Sequence, residues 1–497
     1  MPGHGRTGGS GSSPPGNPRA ARNRCGSTRV PHRRSSVRTR RRAAIALAAL
    51  TTVSAATLSG CGTGSGGGSG KTIKVVYQQQ LNNANHVQAD FLGPMVEQFE
   101  KANPGTTVKL VPVTASENDY YTKIQLMMRS PATAPDLVYE DTATINSDVA
   151  SGYLRPLDDY LRTWQDWSTF AAPAKAAMKY AADGKTYGVP DNTDTRGLWY
   201  NKQLFAQAGI PVPWQPKTWA DVLGTARTLK AELPGVTPLN VFTGVAAGEA
   251  SSMQGFEMLL YGTPAADTSL YDAGQGKWVV GSKGFKDALD FVHTVYSEQL
   301  GPSPQQALGA NIQAQVGTEM IPQGKLAIDL DGSWMPNNWI RTGPEPWPQW
   351  QSTMGMAYMP TQNGQGSGKV SMSGGWAWSI PAKAKNPDLA WKFTQFLETR
   401  ANSAQWNTVN ATIAVRTDVA SDPAYLKALP SNAFFTALVP DTYYRPGVPA
   451  YTQVSSAIQK AMESVTTGQA SVDKAASTFD SDVKTAVGGD KTVQGAR

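Results

Sequence analysis

Between Thr72 and Tyr139 the hydrophobic period switches repeatedly between strand and helix. Thr72–Tyr77 is a short β-branched run, Gln88–Ala102 places Leu92, Met95, Val96 and Phe99 on one helical face, and Thr107–Val113 is extended again. Tyr120–Met128 then reads as helix and Asp136–Tyr139 as a third strand. That βαβαβ order predicts a largely parallel sheet with helices on both faces. In such sheets ligands bind where the loops at the strand C-termini converge on a crevice. Here those positions hold Gln78, Gln79 and Gln80 after the first strand, and Glu140, Asp141 and Thr142 after the third. Both sets are rich in hydrogen-bonding groups, and neither pairs a nucleophile with a base. Capping explains one or two of these residues more readily than all six.

The run from Asp183 to Lys202 is a second constraint. It opens on an Asp-Gly turn and continues as two short extended pieces around a polar break. Pro190 blocks a helix and biases Val189 to extended geometry. Asp191 to Arg196 then supplies two acids, an amide, two hydroxyls and a base. So many polar groups between apolar flanks suggest a crossing strand that lines a cleft; a solvated loop is the blander alternative.

Further on, Thr218 with Asp221 three residues later marks a helix start before Val222, Leu223, Ala226 and Leu229. Ser282–Tyr296 is a second amphipathic helix, and Lys325–Leu330 a strand that leads into Asp331-Gly332-Ser333-Trp334. A Trp after a Gly-Ser turn at a strand end is poorly placed for the core. Ser373-Gly374-Gly375-Trp376-Ala377-Trp378 combines glycines that permit close backbone approach with two Trp on opposite faces. Asn386 as N-cap and Pro387 at the first helical position open another helix.

The N-terminus belongs to processing rather than to a core. Residues 1–60 contain 11 Arg, no Lys and no acid, and Arg40-Arg41-Arg42 precedes a charge-free run from Ala43 to Leu58 that is short for a membrane span. Leu58-Ser59-Gly60-Cys61 follows, resembling the lipobox of bacterial lipoproteins, so Cys61 is the expected lipidation site. Taking the 11 Arg from the 45 basic residues leaves 34 against 38 acids, and the basic pI is no pointer to nucleic acid. Cys25 falls in the leader, which leaves no disulfide, and His86 and His293 alone are too few for a usual His-based metal site. Gly62–Gly70 reads as a tether.

Taken in order, these pieces resemble the extracellular solute-binding proteins of ABC transporters, the carbohydrate-binding family that includes the maltodextrin-binding proteins. The matching stretches include Asn103-Pro104-Gly105, Pro135–Val138, Gly152–Leu157, Asp183–Pro190, Tyr200-Asn201-Lys202, Pro216–Trp219, Gly332-Ser333-Trp334 and Gly374-Gly375-Trp376. The resemblance implies an α/β, two-lobe periplasmic-binding-protein-like (type II) fold with the ligand cleft between lobes. It implies lobe 1 at 72–192 plus 356–405 and lobe 2 at 193–355 plus 406–490, behind a signal peptide at 1–60 and a lipidated tether at 61–71. Crossings are expected at Asp191–Arg196, near Gln351–Gly355 and near Gln405–Asn410.

By the same resemblance Asp194 matches an acidic sugar-contacting position, Trp334 a Trp that stacks on a sugar ring, and Gly375 and Trp376 line the cleft. The candidate ligand-binding set is Gln78, Gln79, Glu140, Asp141, Asp194, Arg196, Trp334, Gly375, Trp376, Arg416 and Tyr443, with no catalytic residue, no metal ligand and no cofactor. The implied role is capture of a sugar or oligosaccharide for delivery to ABC permease subunits by a monomer, lipid-anchored at the extracellular face of the membrane. Glu140 at strand three, where maltodextrin binders often carry Trp, speaks against maltodextrin itself. Two alternatives stand beside this reading: a non-sugar solute on the same fold, such as a polyamine, an oxyanion, or iron held by Tyr443-Tyr444, and a secreted glycoside hydrolase using Glu140 with Asp194 as its acid and base.

Overall fold

The computed structural model describes residues 71–79, 86–264 and 268–495. The expected leader, Cys61 and the tether through Gly70 lie outside the described residues, whereas Lys71, expected at the end of the tether, is the first residue of the first strand. The first five elements follow the sequence pattern: β1 (Lys71–Gln79), α1 (Val87–Ala102), β2 (Thr106–Thr114), α2 (Glu117–Met128) and β3 (Leu137–Asp141). α2 starts three residues before the expected Tyr120, because the Ser116 hydroxyl caps it by accepting from Asp119 N at 3.3 Å. That extra turn carries Glu117.

Next come β4 (Val189–Pro190), β5 (Arg196–Asn201), α3 (Trp219–Glu232), β6 (Thr237–Asn240), α4 (Lys283–Ser297) and β7 (Leu326–Gly332). Thr218 and Asp221 form the expected capping box at the start of α3, and Ser282 caps α4 by accepting from Phe285 N at 3.1 Å. The chain continues through β8 (Met354–Ala357), β9 (Lys369–Ser373), β10 (Trp376–Ser379) and α5 (Pro387–Leu397). Asn386 does not cap α5; its side-chain amide donates instead to Thr72 O at 2.8 Å, tying the helix entry to β1. The last long helices are α6 (Arg400–Val409), α7 (Tyr451–Thr466) and α8 (Val472–Val487).

Two sheets organise two α/β bodies. The first has the order β2-β1-β3-β10-β4, with β1 parallel to β2 and β3, and β10 antiparallel to both β3 and β4. Its core gathers Ile73, Val75, Leu92, Leu137, Trp378 and Phe393. The second has the order β8-β5-β7-β6, and α4, α7 and α8 pack on it through Leu289, Val292, Ile458, Met462 and Phe479. Among the described residues, no helix is long and apolar enough to cross a membrane.

The strand pairing moves one expected boundary. Met354–Ala357 pairs antiparallel with β5, so the chain does not leave the second body before Met356. β9 remains there too: the Ser371 hydroxyl accepts from Arg196 N at 2.8 Å and donates to Arg196 O at 3.0 Å. The passage back to the first sheet falls at Gly374-Gly375, between β9 and β10. Three passages therefore lie side by side. Thr193 exchanges both backbone hydrogen bonds with Ile413, and its hydroxyl donates to Gly374 O at 3.1 Å.

Candidate ligand-binding site

A cavity of about 280 Å³ opens where these passages meet. Gln78 and Gln79 enter its wall from the end of β1, Glu117 from the first turn of α2 and Asp141 from the end of β3. Asn192, Asp194 and Arg196 come from the first passage, Gly374, Gly375 and Trp376 from the second, and Asn410 and Thr412 from the third. Glu249, Met253, Gln254, Trp334, Asn337 and Arg445 are among those that line it from the second body.

Close packing of the passages depends on one glycine. Gly375 has φ +117°, and a Cβ there would sit 2.3 Å from Asn192 O. Without a side chain, the second passage lies directly against the first, which brings Trp376 to the cavity.

Aromatic planes and charged groups alternate around the wall. Trp376 stacks on Tyr139 with centroids 5.1 Å apart and planes 8° from parallel. Tyr139 is held from behind, donating to Asp191 Oδ2 at 2.5 Å and accepting from Asn192 Nδ2 at 2.8 Å. Trp334 is half-buried, with the Arg196 guanidinium 4.8 Å from its ring centre. Arg196 Nη1 also donates to Asp194 Oδ1 and, at 3.1 Å, to Met372 O, and Asp194 Oδ1 accepts from Gly374 N at 2.8 Å. The sequence pattern Asp-x-Arg is thus a local ion pair, built by adjacent same-face positions at the start of β5.

On the other side, Arg445 Nη2 donates to Asp141 Oδ1 at 2.6 Å and to Thr142 Oγ1 at 2.9 Å, while Nη1 donates to Glu249 Oε2 at 3.1 Å. Glu249 also accepts from Tyr451 at 3.0 Å and Ser455 at 2.5 Å. The Tyr121 hydroxyl lies between Glu117 Oε1 and Asp141 Oδ2, at 2.8 Å from the latter. A phenol has one hydrogen to give, so both contacts are hydrogen bonds only when one carboxyl is protonated. Glu117 is the one: burial, then the neighbouring Asp141, push it up to about 7. Burial likewise pushes Asp331 up to about 7 and Glu257 up to about 8.

Of the candidate residues, Gln78, Gln79, Asp141, Asp194, Arg196, Trp334, Gly375 and Trp376 line the cavity, and three do not. Glu140 points to the opposite face of β3 from Tyr139 and Asp141, as strand alternation demands, and is fully buried with Oε2 accepting from Thr144 at 3.0 Å. Arg416 is consumed by Asp418 at 2.8 Å, Asp166 at 3.0 Å and Glu398 O at 2.7 Å. Tyr443 is 45% exposed and stacks on Tyr261, while the hydroxyl of Tyr444 meets Thr193. Glu117, Glu249 and Arg445 escaped the sequence reading. Glu117 was within reach of it, since the strand-end rule applied to strands one and three holds equally after β2.

The pairing of Glu140 with Asp194 required by a hydrolase is not formed, because Glu140 is off the cavity and Asp194 is held by Arg196. Among the described residues, no three His, Cys, Asp or Glu side chains are grouped as a metal site.

Comparison with known proteins agrees with this architecture. The family model described as "Bacterial extracellular solute-binding protein" matches residues 83–404. A putative binding protein of Brucella abortus is 26% identical over 392 residues, 77% of this chain and 87% of that protein. The galactooligosaccharide-binding protein of Bacillus subtilis is 24% identical over 383 residues, 75% and 83% of the two chains. A solute-binding protein of an ABC transporter from Thermotoga lettingae, solved with alpha-D-tagatose, superposes with a TM-score of 0.70 at 22% identity. That match covers 84% of this chain and 99% of the other, and shows a shared fold.

Proposed function

The chain belongs to the bacterial extracellular solute-binding protein family, and from that premise we propose that it captures a sugar or oligosaccharide and hands it to the permease of an ABC importer. One observation carries the choice of solute: aromatic planes alternate with carboxylates and amides around the cavity. Trp376 on Tyr139 and Trp334 offer flat faces to the C–H patches of a sugar ring, while Gln78, Gln79, Asp141, Asp194, Asn192 and Asn337 meet its hydroxyls. Ligand-binding proteins named for saccharides among its relatives support the same reading. The two α/β bodies act as lobes that close on the ligand, with the three passages as hinge. Leu58-Ser59-Gly60-Cys61 supports a lipid anchor at Cys61 that keeps the protein, as a monomer, on the outer face of the membrane.

The test is thermal-shift screening against neutral mono- and oligosaccharides, with polyamines and oxyanions alongside. A saccharide at about 100 times its dissociation constant adds about 2.7 kcal/mol to stability and raises the unfolding midpoint. A midpoint raised only by a polyamine or an oxyanion would replace the sugar with that solute.

A further inference from the structure

Every arginine on the cavity wall is committed to the protein's own carboxylates. Arg196 is bonded to Asp194 and to Met372 O, with its flat face against Trp334. Arg445 is bonded to Asp141, Thr142 and Glu249, and its side chain is 5% exposed. His86, the remaining basic residue on the wall among the described residues, is solvent-exposed. Two guanidiniums thus face three carboxylates, Asp141, Asp194 and Glu249, with the protonated carboxyl of Glu117 beside them.

For a ligand the consequences are asymmetric. A hydroxyl donates to a carboxylate without displacing anything. An anionic group competes with those carboxylates for the same two guanidiniums, weakening buried ion pairs, or lies against like charge. We propose that the cavity selects its saccharide by charge, admitting a neutral sugar and rejecting the uronate, with the chain Asp141–Arg445–Glu249 as the residues that determine this specificity. The inference rests on the saccharide reading above and deepens it.

Calorimetric titration of the purified protein tests it, starting from the neutral oligosaccharide that the thermal screen selects and its uronate counterpart of the same linkage and length. The neutral sugar is expected to bind about tenfold tighter or better. Glu249→Gln, which keeps the shape and removes a negative charge from Arg445, should narrow that ratio through tighter uronate binding, with the ligand-free unfolding midpoint confirming a folded variant. A uronate that binds the wild-type protein as tightly as the neutral sugar overturns the proposal while leaving the saccharide reading intact. An unchanged ratio in Glu249→Gln overturns the role of the Asp141–Arg445–Glu249 chain and, with it, the charge mechanism. If no neutral saccharide binds at all, the saccharide reading itself fails and this inference falls with it.

Discussion

Arg445 and Asp141, 304 positions apart in sequence, meet at 2.6 Å with side chains 5% and 6% exposed. The contact joins the end of the third strand of the first sheet to the segment that leads into α7 of the second body, so it ties the two bodies together at the cavity wall.

Removing one partner of such a pair leaves a buried charge uncompensated, which costs about 3–5 kcal/mol. Arg445→Met should therefore lower stability on that scale in denaturant unfolding. Combining it with Asp141→Asn should give a loss smaller than the sum of the two, as expected for residues in direct contact. Additive losses would mean that the two side chains do not interact in solution.

Trp334→Ala should weaken ligand binding by about ten- to a hundredfold, because an aromatic face against a sugar ring is worth on the order of 1–3 kcal/mol, and 1.4 kcal/mol is tenfold. The half-buried ring also packs against Trp339, Met335 and their neighbours, so some loss of unfolding midpoint accompanies it. A large drop in midpoint with unchanged affinity in the folded fraction would make Trp334 a core residue and not a platform.

Gly375→Ala tests the close approach of the passages. Its Cβ would meet Asn192 O at 2.3 Å in a backbone conformation, φ +117°, that an L side chain rarely adopts. Strain and overpacking together predict a loss of about 2–4 kcal/mol, read by denaturant unfolding. By contrast, Gly105→Ala lacks the clash, since nothing lies within 4 Å of its added Cβ, and should be milder despite its own positive φ. Equal losses in the two would remove the contact as the cause.

Stability should fall as pH rises toward 8. Burial pushes Glu117, Asp148 and Asp331 up to about 7 and Glu257 up to about 8. In the unfolded chain these groups return to the ordinary carboxylate range, so above it the unfolded state binds fewer protons than the folded one. Their contribution is complete below that range and is lost as pH rises through 7 to 8. The opposite slope at acid pH comes from Asp418 and Glu298, held low by Arg416 and Arg227. The ligand-free unfolding midpoint should be higher near pH 5 than near pH 8, and Glu257→Gln should flatten the alkaline part of the slope. A midpoint that rises steadily over this interval would show the buried acids to be ionised.

Cys61→Ser should release the protein from the membrane or leave it unprocessed, because the thiol is the expected site of lipid attachment in Leu58-Ser59-Gly60-Cys61. Normal cleavage together with continued partition into detergent would refute the anchor.

Much of this protein follows from the sequence alone, where the determining interactions are local. The alternation that produces β1 to β3, the Thr218–Asp221 capping box and the extended passage around Pro190 all depend on groups a few residues apart. So does the Asp194–Arg196 ion pair, and the glycine pair before Trp376 announced a close approach without naming its partner. Tertiary structure decided the rest. Met354–Ala357 joins the second sheet because its partner is β5, a choice that residues 354–357 do not encode by themselves. Glu140 turns away from the cavity while Asp141 faces it, an alternation legible in principle once the strand's end and face are known. Arg416 and Arg445 are the same residue type in similarly polar surroundings of the C-terminal third; one is spent on Asp166 and Asp418, and the other closes the wall with Asp141 and Glu249. A buried guanidinium goes wherever carboxylates from distant segments converge, and that convergence exists only after both bodies have packed around the passages between them.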